Sequence, residues 1–104
     1  MYAHQMDVEQ PLAMWDEVHA EVRKATDNEM PDGLLMHMAT ATTTGFRVTE
    51  VWESHEAAER FIREVRRPII ERVGGADVVA AGPPASEELK VHAFLTAGRS
   101  DSSA

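Results

Sequence analysis

The segment LLMHMATATTTGFRVTEVWESHEAAERFIREV, residues 34–65, contains the change of hydrophobic period that decides the fold class. Leu34 to Thr42 and Phe46 to Glu53 are rich in β-branched and apolar residues, and Thr43-Thr44-Gly45 between them supplies a turn in which the glycine can take a positive φ. That pattern predicts a β-hairpin. From Ser54 onward the spacing lengthens to three and four residues. Ala58, Phe61, Ile62 and Val65 form one stripe, Ser54 offers an N-cap oxygen, and Glu56 places a favourable charge in the first turn. The hairpin therefore runs into a helix that starts at Ser54 or His55. Pro68 lacks an N–H and its ring crowds the carbonyl four residues back, so the helix is expected to break or kink there, restart briefly through Ile69 to Val73, and stop at Gly74-Gly75.

Toward the N-terminus, Tyr2 to Val8 partly alternates and ends at Gln10-Pro11, as a strand does before a helix with a first-turn proline. From Pro11 to about Thr26 the positions Leu12, Trp15, Val18, His19, Val22 and Ala25 recur at helical spacing, and residues 27–33 are turn formers. Downstream, residues 76–87 read as a loop, Leu89 to Ala97 as a last strand, and Gly98 to Ala104 as a disordered tail, which sets one domain over residues 1–97. The order βαββαβ predicts an α+β, ferredoxin-like fold: a four-stranded antiparallel sheet, order 4-1-3-2, with both helices on one face. Met36, Met38, Val51, Phe94 and Leu95 cannot all point at two helices, because strand neighbours alternate in direction. A second copy is the economical cover for the other face, so a homodimer is expected.

Composition narrows the partners. The chain has 104 residues and a net charge of −8, so its field repels phosphate backbones and anionic lipid, and neither nucleic acid nor membrane is expected as a partner. There is no cysteine, which removes disulfides, thiolate metal sites and a cysteine nucleophile together. No run approaches the roughly 20 apolar residues of a membrane span, and Met1 leads straight into a short amphipathic segment, so a cytoplasmic location is expected.

The chemistry is narrowed by elimination. His4, His19, His37, His55 and His92 fall on five different segments with no pair at helical ligand spacing, so no metal site is expected. No phosphate-cradling loop or dinucleotide fingerprint is present, and no cofactor is expected. What remains is a set of polar and aromatic residues inside strands: His4, His37, Glu50 and His92 as candidate acid–base groups, and Trp52, with Met36 and Phe61, as a candidate surface for a small hydrophobic or aromatic ligand. Period two puts Val48, Glu50 and Trp52 on one face, where a carboxylate beside an indole suits a base of raised pKa. On that reading Glu50→Gln removes a base and leaves stability nearly unchanged. The competing reading pairs Glu50 with an arginine such as Arg23 or Arg63 and uses Trp52 to fill space under a helix. Two hairpin registers stay open: a loop of Thr43-Thr44-Gly45 puts Met36 opposite Trp52, and a loop of Thr44-Gly45 puts His37 there.

The stretch Gly33 to Met38, followed by Arg47 to Ala57 with its Val51-Trp52-Glu53-Ser54 step into a helix, resembles the dimeric α/β-barrel superfamily, especially antibiotic-biosynthesis-monooxygenase-like domains. The resemblance implies dimers formed through face-to-face sheets, and cofactor-independent oxygenation, haem degradation or cyclisation as activities. Trp52 matches the tryptophan of the actinorhodin-type monooxygenases, while the asparagine and tyrosine of that pattern are Val48 and Ala58 here. Of the haem-degrading pattern only His4 falls near a functional position; Phe61 and Glu71 stand for its tryptophan and its haem-ligating histidine. The expected function is thus a cofactor-independent monooxygenase or cyclase acting on an aromatic or polyketide-like substrate, with a non-catalytic small-molecule-binding domain as the alternative.

Overall fold

The computed structural model of the protein describes residues 1–96. Strand β1 (Tyr2–Val8) leads into helix α1 (Leu12–Ala25), and the hairpin of β2 (Leu34–Ala41) and β3 (Phe46–Trp52) follows. A long helical arm is made of α2 (His55–Phe61), a π-helical turn (Ile62–Arg66) and α3 (Arg67–Ala81), and strand β4 (Ser86–Leu89) closes the order. The four strands form one antiparallel sheet in the order β2-β3-β1-β4. The fold is α+β with the ferredoxin-like βαββαβ layout. No helix among the described residues is long and apolar enough to cross a membrane.

Local chemistry sets the element ends. Ser54 caps α2 by accepting the Ala57 N–H on its hydroxyl at 3.1 Å. α1 ends where the Thr26 hydroxyl donates to the Val22 carbonyl, and Asp27 and Asn28 follow at positive φ, a conformation that short polar side chains tolerate.

Four details differ from the sequence reading. Pro68 does not break the helix: the turn before it widens, so that the Arg67 N–H donates to the Ile62 carbonyl five residues back. The proline then falls in the first turn of α3, where a missing N–H costs least. The first helical run does end at Gly74-Gly75 as expected, where Gly75 takes the non-helical φ 72° and ψ −159°, but a second helical piece over residues 76–81 follows this kink in place of the expected loop. β4 starts earlier than expected, at Ser86, because pairing of Met6 with Ser86 and Ala3 with Leu89 decides an edge strand more than apolar content does. Lys90 to Thr96 leave the sheet, and the expected tail at residues 98–104, like Ala97, lies outside the described residues.

The hairpin takes neither expected register. Ala41 pairs with Phe46 and His37 with Glu50, which leaves residues 42–45 in the loop, and an irregularity between Leu34 and Met36 brings Leu34 opposite Trp52. Gly45 is required for space, not for a positive φ. A Cβ there would sit 2.0 Å from the Val8 carbonyl oxygen and 2.8 Å from that of Gln10. β1 thus passes directly over the hairpin loop.

This register places the site. His4, Glu50 and His37 stand opposite one another across three strands, with Tyr2 and Trp52 one pleat away on the same face. Trp52 packs on Ala58 and Phe61, so this is the face the helices cover. Ala3, Gln5, Met36, Met38, Thr49 and Val51 project from the other face. Because the Val8 backbone leaves no room at Gly45, Gly45→Ala should lower unfolding free energy by about 2 kcal/mol or more, the scale of a steric misfit in a packed region; a denaturant midpoint equal to wild type would contradict the close approach.

Candidate functional site

Glu50 lies in the middle of β3, a central strand, and its side chain is wholly buried. Each of its oxygens accepts from two donors. Oε1 accepts the Trp52 indole N–H at 3.2 Å and His4 Nε2 at 3.0 Å. Oε2 accepts His37 Nδ1 at 2.6 Å and the Arg66 Nη2–H. Four donors saturate the acceptor positions of one carboxylate.

The network fixes the tautomer of His37. Trp15, on α1, donates its indole N–H to His37 Nε2 at 3.2 Å, so Nε2 holds the lone pair and Nδ1 carries the proton given to Glu50. For His4, an anionic Glu50 requires Nε2 to be the donor, which leaves Nδ1 to accept from the Ser86 hydroxyl at 2.9 Å. The two imidazoles differ in access: the His4 side chain is 2 % exposed and that of His37 22 %. His37 Nε2 is therefore the ring nitrogen at the outer edge of the cluster. Around it, His19 stacks on Trp15 with centroids 4.5 Å apart and lies 6.4 Å from the His37 ring. Partial burial, with His37 and Arg23 nearby, pushes the His19 imidazole below its ordinary pKa and favours the neutral ring.

The carboxylate does not have the raised pKa expected of a buried base. Burial pushes Glu50 up, but the hydrogen bonds from His37 and His4 and the Arg66 guanidinium outweigh it and hold the group well below the usual carboxylate range. Glu50 is a fixed anion that positions imidazole.

Of the residues singled out in the sequence, Glu50, His4, His37, Trp52 and Phe61 meet. Trp52 is completely enclosed, with Phe61 5.5 Å away, so it is core and a donor to Glu50 rather than an open aromatic wall. Met36 pairs with Val51 and so lies on the opposite face of the sheet from Glu50. His92 is not on a strand: it is exposed in the segment after β4, beside an open concavity of about 470 Å³ lined by Met1 and residues 88–95, and it makes no hydrogen bond to the Glu50 cluster. The arginine on Glu50 is neither Arg23 nor Arg63 but Arg66.

Arg66, Trp15, His19 and Ser86 were missed. Trp15 and His19 are four residues apart on one helical face, which marks them as neighbours but not as neighbours of His37. Arg66 lies four residues after Ile62 and eight after Ala58, beside the apolar stripe, which places it near the covered face but does not mark it as the partner of Glu50. Among the described residues no three His, Asp or Glu side chains could hold a metal ion together, and the Glu50 oxygens are already occupied by N–H donors.

The chain thus belongs to the class of α+β ferredoxin-like domains, here with a carboxylate, an arginine and two imidazoles joined under the helices. No protein-family model matches it, and no curated protein matches it.

Glu50→Gln leaves Arg66 buried without its counter-charge, so it is not stability-neutral as the sequence suggested. A loss of about 3–5 kcal/mol is expected, the scale of breaking a buried pair. Folded Glu50 holds its proton more weakly than unfolded Glu50. Its contribution is therefore complete above the unfolded carboxylate value of about 4.3 and is lost as pH falls below it. Thermal unfolding from pH 6 to pH 3 should show wild type losing stability more steeply than Glu50→Gln; parallel curves would mean that the carboxylate is not held as an anion.

Proposed function

We propose that the protein is a cytoplasmic, homodimeric enzyme of the dimeric α/β-barrel type. In this reading it removes a proton from a planar aromatic or polyketide-like substrate, without a cofactor, using His37 as general base. One observation carries the reading: Nδ1 of His37 is locked on Glu50 while Nε2 holds a lone pair at the outer edge of the cluster, met among the described residues by the Trp15 N–H alone. An oriented imidazole with a carboxylate behind it is the arrangement general-base catalysis requires, because the anion fixes the tautomer and stabilises the imidazolium that forms. Trp15 and His19 supply the flat surface beside Nε2 that the sequence reading assigned to Trp52. The reaction class follows from what the substrate can do once deprotonated. An electron-rich carbanion or phenolate can reduce dioxygen itself, or attack a carbonyl within the same molecule and close a ring.

A non-catalytic binding domain is the second reading, favoured by the saturation of Glu50, which also suits a purely structural network.

Incubation with a panel of anthrones, hydroxynaphthalenes and linear polyketide mimics, following oxygen uptake and product mass, tests between them. Turnover of at least one class is expected, and His37→Gln should reduce it about 10²-fold or more. No conversion by wild type, with quenching of Trp15 fluorescence by the same compounds, would select the binding domain.

Dimerisation is tested at Met38, which is 47 % exposed on the sheet face turned away from Glu50. Sedimentation should give a dimer for wild type and a monomer for Met38→Lys, since a buried unpaired lysine opposes a sheet-on-sheet interface. A wild-type monomer at micromolar concentration would remove the dimer.

A further inference from the structure

His4 is a second imidazole held by the same anion, and the function proposed above leaves it unused. Its Nε2 donates to Glu50 Oε1 at 3.0 Å, and its Nδ1 faces the Ser86 hydroxyl at 2.9 Å. Carboxylate, imidazole and hydroxyl thus form an unbroken line from the middle of the sheet to its edge. Such a line has chemical capacity when the hydroxyl is its donor and the hydroxyl can be reached. The first condition holds because, with Glu50 ionised, Nε2 carries the proton and Nδ1 presents its lone pair to the Oγ–H. The second holds because Ser86 opens the edge strand β4 and is exposed, although the His4 side chain behind it is only 2 % exposed.

Strand register produces the contact. Met6 pairs with Ser86 and His4 with Glu88, so Ser86 is the diagonal neighbour of His4 on the face that carries Glu50. Tyr2 lies on the same face, its ring stacked on His4 with centroids 5.4 Å apart. Burial, with Glu88 and Glu59 nearby, pushes the Tyr2 phenol above its ordinary value, so it stays protonated as an O–H donor beside the pair.

We propose that Ser86 is a nucleophile, with His4 as its general base and Glu50 as the positioning residue behind His4, and that it accepts the acyl group of an uncharged, activated ester. The three residues take the roles of a serine-hydrolase triad, with the ring turned so that Nε2 rather than Nδ1 meets the carboxylate. The inference goes beyond the reading of His37 and does not rest on it, because His37 meets the other oxygen of Glu50.

Enclosure of His4 sets the substrate class. The ring can take the Oγ proton, but it is too enclosed to follow a leaving group outward and protonate it. The leaving group must therefore depart as a stable anion, as an aryl oxide or a thiolate does, and amides are excluded. Glu87 and Glu88 are exposed on the same strand of a chain with net charge −8, so an anionic acyl group is repelled.

The transfer balances in atoms and charge. The Ser86 hydroxyl proton passes to His4 Nδ1, Oγ forms a bond to the carbonyl carbon, and the bond from that carbon to the leaving oxygen or sulfur breaks with its electron pair. Neutral ester, serine and imidazole give acyl-serine, imidazolium and a free anion. Glu50 pairs with the imidazolium. Once the imidazolium has released its proton to solvent, water gives a proton to Nδ1 and its oxygen to the acyl carbon, and Oγ departs with the proton from Nδ1.

An uncharged fluorophosphonate ester labels a serine by the same first step, with fluoride as the leaving anion, and tests the site. Full-length protein treated with it, digested and mapped by mass spectrometry should carry its adduct on Ser86, formed about 10²-fold or more faster than in the same chain unfolded in urea. Ser86→Ala should lose the adduct, and His4→Gln should slow labelling by a similar factor. If His4→Gln does not fold, folded against unfolded wild type decides alone. Wild type should also cleave p-nitrophenyl acetate and leave the matching p-nitroanilide intact; cleavage of the anilide overturns the substrate class. No adduct, an adduct on another residue, or equal rates in the folded and unfolded chain overturns the nucleophile, and the bond from His4 to Ser86 is then a tie between β1 and β4.

Discussion

A buried carboxylate is tolerable in a protein interior only when its lone pairs are filled and its charge is matched, and the interior of this domain is arranged around that requirement. Glu50 has no solvent contact, and it draws its donors from four places: His4 on β1, His37 on β2, Trp52 on its own strand, and Arg66 on the helical arm. Each donor ties a separate part of the chain to the middle of the sheet. The carboxylate therefore acts as a cross-link among three strands and a helix, in a domain whose fully buried apolar cluster is small.

The same requirement accounts for the odd geometry of the helical arm. A regular helix starting at Ser54 would carry the residues after Phe61 forward at constant phase. The π-helical turn of Ile62–Arg66 changes that phase just where a cation is needed, and it also accommodates Pro68 at the head of the next segment. Packing of Phe61 on Trp52 and beneath the guanidinium shields the ion pair from water and strengthens it. Helix irregularity, ion pair and aromatic core are thus one solution to a single electrostatic problem.

The proposed function rests on the way the donors are shared. With Nδ1 of His37 committed to the anion, all the remaining basicity of that ring is gathered at Nε2, on the side nearest Trp15 and His19. His4 is bound to the same carboxylate but is enclosed and closed off by Ser86, so two chemically identical side chains acquire different capacities from access alone. One is enclosed within the sheet, and the other lies at the partly exposed edge of the cluster.

The sequence by itself determined the element order, the class of sheet and the set of strand residues worth watching, because period two against period three and four is a local property of neighbouring side chains. Ser54 as a helix cap and the hairpin before it were legible for the same reason. The register was not: a slip of one residue changes which side chain opposes Glu50, and the pairing of His37 with Glu50 is visible only once the strands are assembled. Arg66 was not legible as the partner of Glu50, because a place beside the helical stripe does not say which strand residue an arginine meets, and only the tertiary structure buries it against that carboxylate. The ionisation of Glu50 was misread for a related cause. Burial alone raises a carboxyl pKa, and only the tertiary structure brings in the three charged or polar partners, from β1, β2 and the helical arm, that reverse the direction.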